Sequence, residues 1–265
     1  MGEIMKEQKA IVLMYHQIVP EDSPEGWIPS RLADPAYGVG VQEFTHQMAY
    51  LQSSGFCLTS LDGWFRSLGS PDSSKNPAII ITFDDGYESD CSLAAPILSN
   101  LGIPATFFVS TGHLGLKGMM TESNVQALSQ NSLFDVGAHG ASHAFLTTLS
   151  NEDCLSELKL SIARIRDLTG ERKVSMSAPG GRVNSSVVHA VRNSGFFALM
   201  TSRPGVLYPG LDPFSIPRLP VMARHSLKNF KQLLNPHSWT FRFDYWVRST
   251  KQSLRNMGNV IGLEG

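Results

Sequence analysis

Cysteine is scarce in this chain of 265 residues, and it follows no pattern. Cys57, Cys91 and Cys154 are far apart, odd in number and form no C-x-x-C pair. That argues against a disulfide framework and for reduced thiols. Long apolar runs are also missing: no stretch reaches the ~18 residues of a membrane-spanning helix. Met1 to Lys9 lacks the apolar core of an export leader, so the expected location is cytoplasmic. Charge is sparse at 17% and nearly balanced, with a formal net charge of −1. Such a balance gives no general attraction to nucleic acid, which is not an expected partner. Internal repeats and low-complexity tracts are absent too. What remains is the composition of an ordinary globular protein, long enough to bury a sizeable core as one large domain or two small ones.

The chain alternates short apolar runs with longer amphipathic segments. Residues 10–14, 78–83, 105–109, 133–136, 174–178, 197–200 and 214–221 read as strands. Helices are expected over 41–53, 91–101, 122–128, 150–168, 185–193 and 227–234. Ser150 to Asp153 looks like a capped helix start, and Gly102 and Gly170 look like helix stops. Strand–helix alternation implies parallel strands with crossover helices. The fold class is therefore α/β, and about seven units can close a barrel or lie in an open doubly wound sheet. Both arrangements place functional sites at the C-terminal ends of strands.

Asp84, His139 and Pro179 fall just after such strands. Ile79-Ile80-Ile81-Thr82-Phe83 runs straight into Asp84 and Asp85, and buried charge is costly unless paired or metal-bound. Some fifty residues on stand His139 and His143. Asp85 with these two histidines matches the three-ligand count of a catalytic zinc site, whose fourth position is left to water. A metal lowers that water's pKa to roughly 7, and a neighbouring carboxylate, here Asp84, can take the proton. The plainer readings are that Asp-Asp-Gly makes a turn and that the two histidines are unrelated.

The segments Thr82-Phe83-Asp84-Asp85-Gly86-Tyr87 and His139-Gly140-Ala141-Ser142-His143 resemble two motifs of the polysaccharide deacetylase (NodB-homology) family. In the second, Gly140 replaces the usual Ser or Thr. Leu13-Met14-Tyr15-His16 is similar to the opening strand of the biofilm poly-N-acetylglucosamine deacetylase branch. Residues 104–109 and 177–182 also look like this family, and the likeness runs from about Val12 to Val221. The resemblance implies a distorted (β/α) barrel that removes N-acetyl groups from a sugar or glycoconjugate. Residues 1–235 would form the catalytic domain. It implies Asp84 as general base and Asp85, His139 and His143 as ligands of a divalent metal. Zn²⁺ is the expected ion, although Co²⁺, Ni²⁺ and Mn²⁺ suit the same donors. Tyr87, Pro179, Gly180 and Arg182 would border the substrate or oxyanion.

The chain departs from the family pattern in three places. Ser177 stands where many members carry the Arg that orients the base, and Arg182 could substitute from the next turn. The Asp-x-x-x-Trp motif has no clear counterpart. The late Leu-x-His motif is not intact, with His225 as its nearest candidate. His16 is therefore the expected general acid and His225 the weaker one. His46, His113, His189 and His237 read as surface or packing residues, and Trp27 and Trp64 as either core or sugar-stacking residues. Residues 236–265 form an aromatic and basic segment, expected to pack on the barrel or an interface or to touch lipid head groups. The alternative functions are deformylation or deacetylation of a lipid-linked sugar, and a degenerate barrel that binds carbohydrate without turnover.

Overall fold

The computed structural model describes residues 8–23, 33–68 and 76–235. Strand β1 (Ala10–Tyr15) is followed by the short β2 (Ile18–Val19) and β3 (Val39–Gly40), then by α1 (Val41–Ser53) and α2 (Leu61–Ser67). Next come β4 (Ala78–Phe83), a π-helical turn (Asp90–Ala94), α3 (Ala95–Leu101) and β5 (Ala105–Val109). They are followed by α4 (Glu122–Ser129), β6 (Phe134–Ala138), α5 (Asn151–Thr169), β7 (Met176–Ser177) and α6 (Ser185–Asn193). The described chain closes with β8 (Leu199–Met200), β9 (Leu219–Pro220) and α7 (Leu227–Leu233).

Seven strands form one curled sheet in the order β8-β7-β6-β5-β4-β1-β9, and every neighbouring pair is parallel. This is the distorted (β/α) barrel that the family resemblance implied, and not the open doubly wound sheet that the alternation of strands and helices also allowed. Side-chain parity divides its core in two. Ile11, Leu13, Ile79, Ile81, Phe83 and Phe107 pack outward on helix residues such as Phe44, Met48, Leu98 and Ile162. Val12, Ile80, Phe108 and Met200 fill the concave face together with Trp64 and Ile216. Strands buried on both faces must be apolar throughout, which is why they read as continuous runs. Trp64 is only 3% exposed in this inner cluster, so it is a core residue.

The sheet edges meet through one segment. Ile216 bridges Met200 of β8, and three residues later Leu219 pairs with Leu13 of β1. Arg218 therefore sits on the seam that closes the curl.

Helix ends follow the sequence closely. The Ser150 hydroxyl accepts the Asp153 N–H at the start of α5, and Gly170 ends it at φ 72°. Three expectations need correction. The strands over 174–178, 197–200 and 214–221 shrink to two residues each, because β7, β8 and β9 find neighbours only over that length. The helix expected from Cys91 begins as a π turn and becomes α-helical at Ala95. Helix α2 was not foreseen, since Gly63 interrupts a short run. Trp27 and residues 236–265 lie outside the described residues. Among the described residues no helix is long and apolar enough to cross a membrane.

Gly137 shows how tightly β6 is packed. A Cβ there would lie 2.5 Å from the Phe108 ring and 2.9 Å from the Ser175 carbonyl oxygen. Overpacking of this kind costs roughly 1–3 kcal/mol. Gly137→Ala is expected to lower the melting temperature by about 2–10 °C. An unchanged melting curve would show that β6 can shift to accept the methyl group.

Candidate active site

The C-terminal ends of β1, β4, β6 and β7 bring His16, Asp84, Asp85, His139 and Ser177 to one end of the barrel. Asp84 continues the inward parity of Ile80 and Thr82 and is 3% exposed. A carboxylate so buried needs a partner. Arg218, 0% exposed, supplies it. Its Nη1 donates to Asp84 Oδ1 and its Nη2 to Oδ2, each at 2.7 Å. The same guanidinium donates through Nε to the Thr201 carbonyl at 3.0 Å, through Nη1 to Thr82 Oγ1 at 3.2 Å and through Nη2 to Ser177 Oγ at 2.8 Å. Burial alone would raise the Asp84 carboxyl, but the Arg218 charge and then the His139 imidazole hold it below the usual carboxylate range.

This arrangement fills one gap left by the sequence and corrects one expectation. The Arg missing from the position of Ser177 is replaced from the seam by Arg218. Arg182 does not reach the base; its guanidinium lies 4.0 Å over the Phe145 ring. Ser177 is itself a junction. Its hydroxyl donates to Asp84 Oδ2 at 3.1 Å, and its carbonyl accepts from His139 Nδ1 at 2.9 Å.

That last bond decides the chemistry of His139. A carbonyl only accepts, so Nδ1 carries the proton and Nε2 of the neutral ring is a bare lone pair. Nε2 nevertheless faces Asp85 Oδ1 at 3.2 Å, and His143 Nε2 faces the same oxygen at 3.1 Å. The three donor atoms lie within 4.8 Å of one another. Acceptors converging in a largely buried place need a cation between them. Asp85, His139 and His143 thus fit a divalent metal. Burial would raise the Asp85 carboxyl, yet the His139 and His143 imidazoles beside it hold it well below the usual range.

The local backbone is strained to make this set. Asp85 and His143 are the non-glycine residues with positive φ among the described residues, at 80° and 61°. Each such residue costs about 1–3 kcal/mol and persists only where its surroundings hold it. Glu157 on α5 does this for the histidine loop: its Oε2 accepts the N–H groups of Ala141 and Ser142, both at 2.9 Å. Neither Glu157 nor Arg218 was singled out from sequence. Arg218 had a signal, as a charge inside an otherwise apolar run; Glu157 had none on its amphipathic helix.

The other expected site residues distribute as follows. His16 is partly buried, 4.3 Å ring to ring from Tyr37, and burial lowers its pKa although Asp85 and Asp84 pull it upward. Tyr87 is buried, and burial together with the Asp85 charge keeps its phenol protonated. Pro179 and Gly180 form a tight turn after β7, with Gly180 at φ 62°. His225 lies on the loop before α7, where its Nδ1 accepts the Met222 N–H and its carbonyl accepts from Gln47 Nε2. His113, read as a surface residue, comes within 6.1 Å of the His143 ring centroid.

Residues 72–199 match the family model of polysaccharide deacetylases. A Staphylococcus epidermidis poly-beta-1,6-N-acetyl-D-glucosamine N-deacetylase is 22% identical over 231 residues, covering 81% of this chain and 79% of its own. Among solved structures, the Streptococcus pyogenes deacetylase PplD in complex with acetate superposes with a TM-score of 0.74 at 22% identity, covering 86% of this chain and 99% of its own. IcaB from Ammonifex degensii gives 0.72 at 23% identity, with 86% and 97% covered. These two structures share the fold.

Removing one partner of a buried pair typically costs about 3–5 kcal/mol. Arg218→Met is expected to lose about that much stability at pH 7, read by urea unfolding. The lowered Asp84 pKa makes its contribution fully present above the unfolded value of ~3.9 and lost as pH falls through the folded value. The gap between wild type and Arg218→Met should therefore narrow below about pH 4. A gap constant from neutral to acid pH would mean that Asp84 is not the charge Arg218 serves. Glu157→Ala is expected to weaken Zn²⁺ or Co²⁺ binding about 10–100-fold in chelator competition, with Glu157→Gln affected less. Equal affinity in all three proteins would rule out the loop-holding role.

Proposed function

The chain belongs to the polysaccharide deacetylase family, and from that premise we propose that it removes N-acetyl groups from an N-acetylated sugar or glycoconjugate by metal-dependent hydrolysis. The family makes it an amidohydrolase acting on carbon–nitrogen bonds other than peptide bonds. The observation that carries the reading is the contact between two assemblies: an Arg218-held Asp84 beside the converging Asp85, His139 and His143.

Three protein ligands with a position left open is the donor set of a catalytic zinc site, so Zn²⁺ is the proposed ion. When bound, a divalent ion supplies Lewis acidity for the acetyl carbonyl and brings a water's pKa to about 7. Asp84, kept ionised by Arg218, accepts the proton of the attacking water. His139 is held in one tautomer by the Ser177 carbonyl, which keeps Nε2 aimed at the metal position. The Gly180 turn and Tyr87 border the space for the substrate oxygen, where a fixed N–H or O–H donor is most effective.

The leaving amine needs a proton, and His16 is the proposed donor. It ends β1 close enough to Asp84 and Asp85 to feel both charges. A lowered pKa makes it a stronger acid with a smaller protonated fraction, so the proton-donating form is lost as pH rises through that pKa. His225 is tethered instead to Gln47, which in turn accepts the Tyr15 hydroxyl. A carbohydrate-binding barrel without turnover is disfavoured, because the buried Asp84–Arg218 pair and two strained ligands are costly features that sugar binding does not need.

Acetate release from chito-oligosaccharides and from an aryl acetate, with Zn²⁺ or Co²⁺ supplied, tests the reading. Wild type should turn over at least one of them. Asp84→Asn should lose about 10²–10⁴-fold in kcat. His16→Ala should also lose kcat, and near wild-type kcat would remove it as the acid. Stoichiometric metal with no acetyl or formyl substrate cleaved would favour the binding reading. If no metal binds and Asp85→Ala changes nothing, the site is wrong altogether.

A further inference from the structure

Arg66, Arg164, Arg192 and Arg218 each hold a carboxylate. Arg182 makes no ion pair among the described residues; it lies over an aromatic ring instead, with its guanidinium carbon 4.0 Å from the Phe145 centroid. The ring follows His143 by two residues and is 38% exposed. The loop beneath is tightly built. A Cβ on Gly180 would come within 2.7 Å of the Phe145 ring, and a Cβ on Gly140, between the two histidine ligands, within 3.5 Å of Pro179. The turn that carries Arg182 therefore abuts the metal-binding loop directly.

Stacking uses the face of a guanidinium and leaves its N–H edge free. An Arg so placed is pre-organised for two parallel hydrogen bonds to a planar or tetrahedral anion. Because the net charge is only −1, any preference for anions must come from such a local group rather than from the whole molecule. Glu157, the acid that holds the metal-binding loop, already accepts two backbone N–H groups.

We propose that Arg182, held on Phe145 at the rim of the metal-binding loop, is a specificity-determining residue that binds a phosphate or carboxylate carried next to the N-acetylated sugar. The proposal rests on the deacetylase reading above and adds to it the class of substrate: an anionic glycoconjugate.

The test compares kcat/KM for acetate release from four tri-N-acetylchitotriose derivatives. They carry a neutral methyl glycoside, a reducing-end phosphomonoester, an alkyl phosphodiester at the same place, or an adjoining glucuronic acid. In wild type at least one anionic substrate should exceed the neutral one on the order of tenfold or more, as expected of charge-assisted hydrogen bonds. The arm that responds identifies the source of the anion: a sugar phosphate, a lipid-type diester or an acidic sugar. In Arg182→Gln the anionic-to-neutral ratio should fall towards one. Arg182→Lys should recover only part of it, lacking the fork, and Phe145→Leu should lower it by loosening the stack. A wild-type ratio near one for every anion, or a ratio unchanged in Arg182→Gln, overturns the proposal. Should no substrate release acetate, the deacetylase reading fails separately. Calorimetric binding of the phosphomonoester then decides: loss of binding in Arg182→Gln upholds the anion site, and no binding to wild type overturns it.

Discussion

The buried pair of Arg218 and Asp84 is the interaction on which the rest of this site depends. Two charges taken out of water cost several kcal/mol each, and only near-ideal geometry offsets that. Here the geometry is bidentate, and every remaining guanidinium bond goes to Thr82, Ser177 or Thr201. Arg218 lies between Ile216, which touches one edge of the sheet, and Leu219, which pairs with the other. Closing the barrel and ionising the base are therefore one event. A chain that failed to close would leave Asp84 buried without its cation, so the fold is coupled to the protonation state of this buried carboxylate.

Ser177 extends the same logic to the metal position. Its hydroxyl belongs to the base and its carbonyl to His139, so the two halves of the chemistry share one residue. The strained loop at His143 is held from outside by Glu157. A site assembled this way is rigid before substrate arrives, which is what electrostatic preorganisation requires. The rim, with Phe145, Arg182 and His113, is more exposed.

Most of this was legible from particular residues. Asp84, Asp85, His139 and His143 stood out because apolar strands run straight into them and burial makes such polar groups expensive. The strands themselves were legible because a parallel sheet is covered on both faces. Ser177 was read as the place of a lost Arg and the substitute was sought in Arg182, since a motif compares positions along the chain whereas Asp84 responds to positions in space. Arg218 could have been found by the rule that found Asp84, as an unpaired charge in the run Phe214 to Val221. Glu157 could not, because a Glu on an amphipathic helix resembles any solvated residue.

By itself the sequence determined the alternation of strands and helices, the helix caps of α5, and the acids and histidines that end β4 and β6. Each of these is local: parity, capping and the cost of burying charge act over a few residues. Only the tertiary structure decided which cation serves Asp84, which carbonyl orients His139, and which carboxylate holds the histidine loop. Those partners lie 134, 38 and 15 to 16 residues away along the chain, and no periodicity spans such distances. They meet because the sheet curls and closes, and the closure is enforced by packing rather than by any short stretch of sequence.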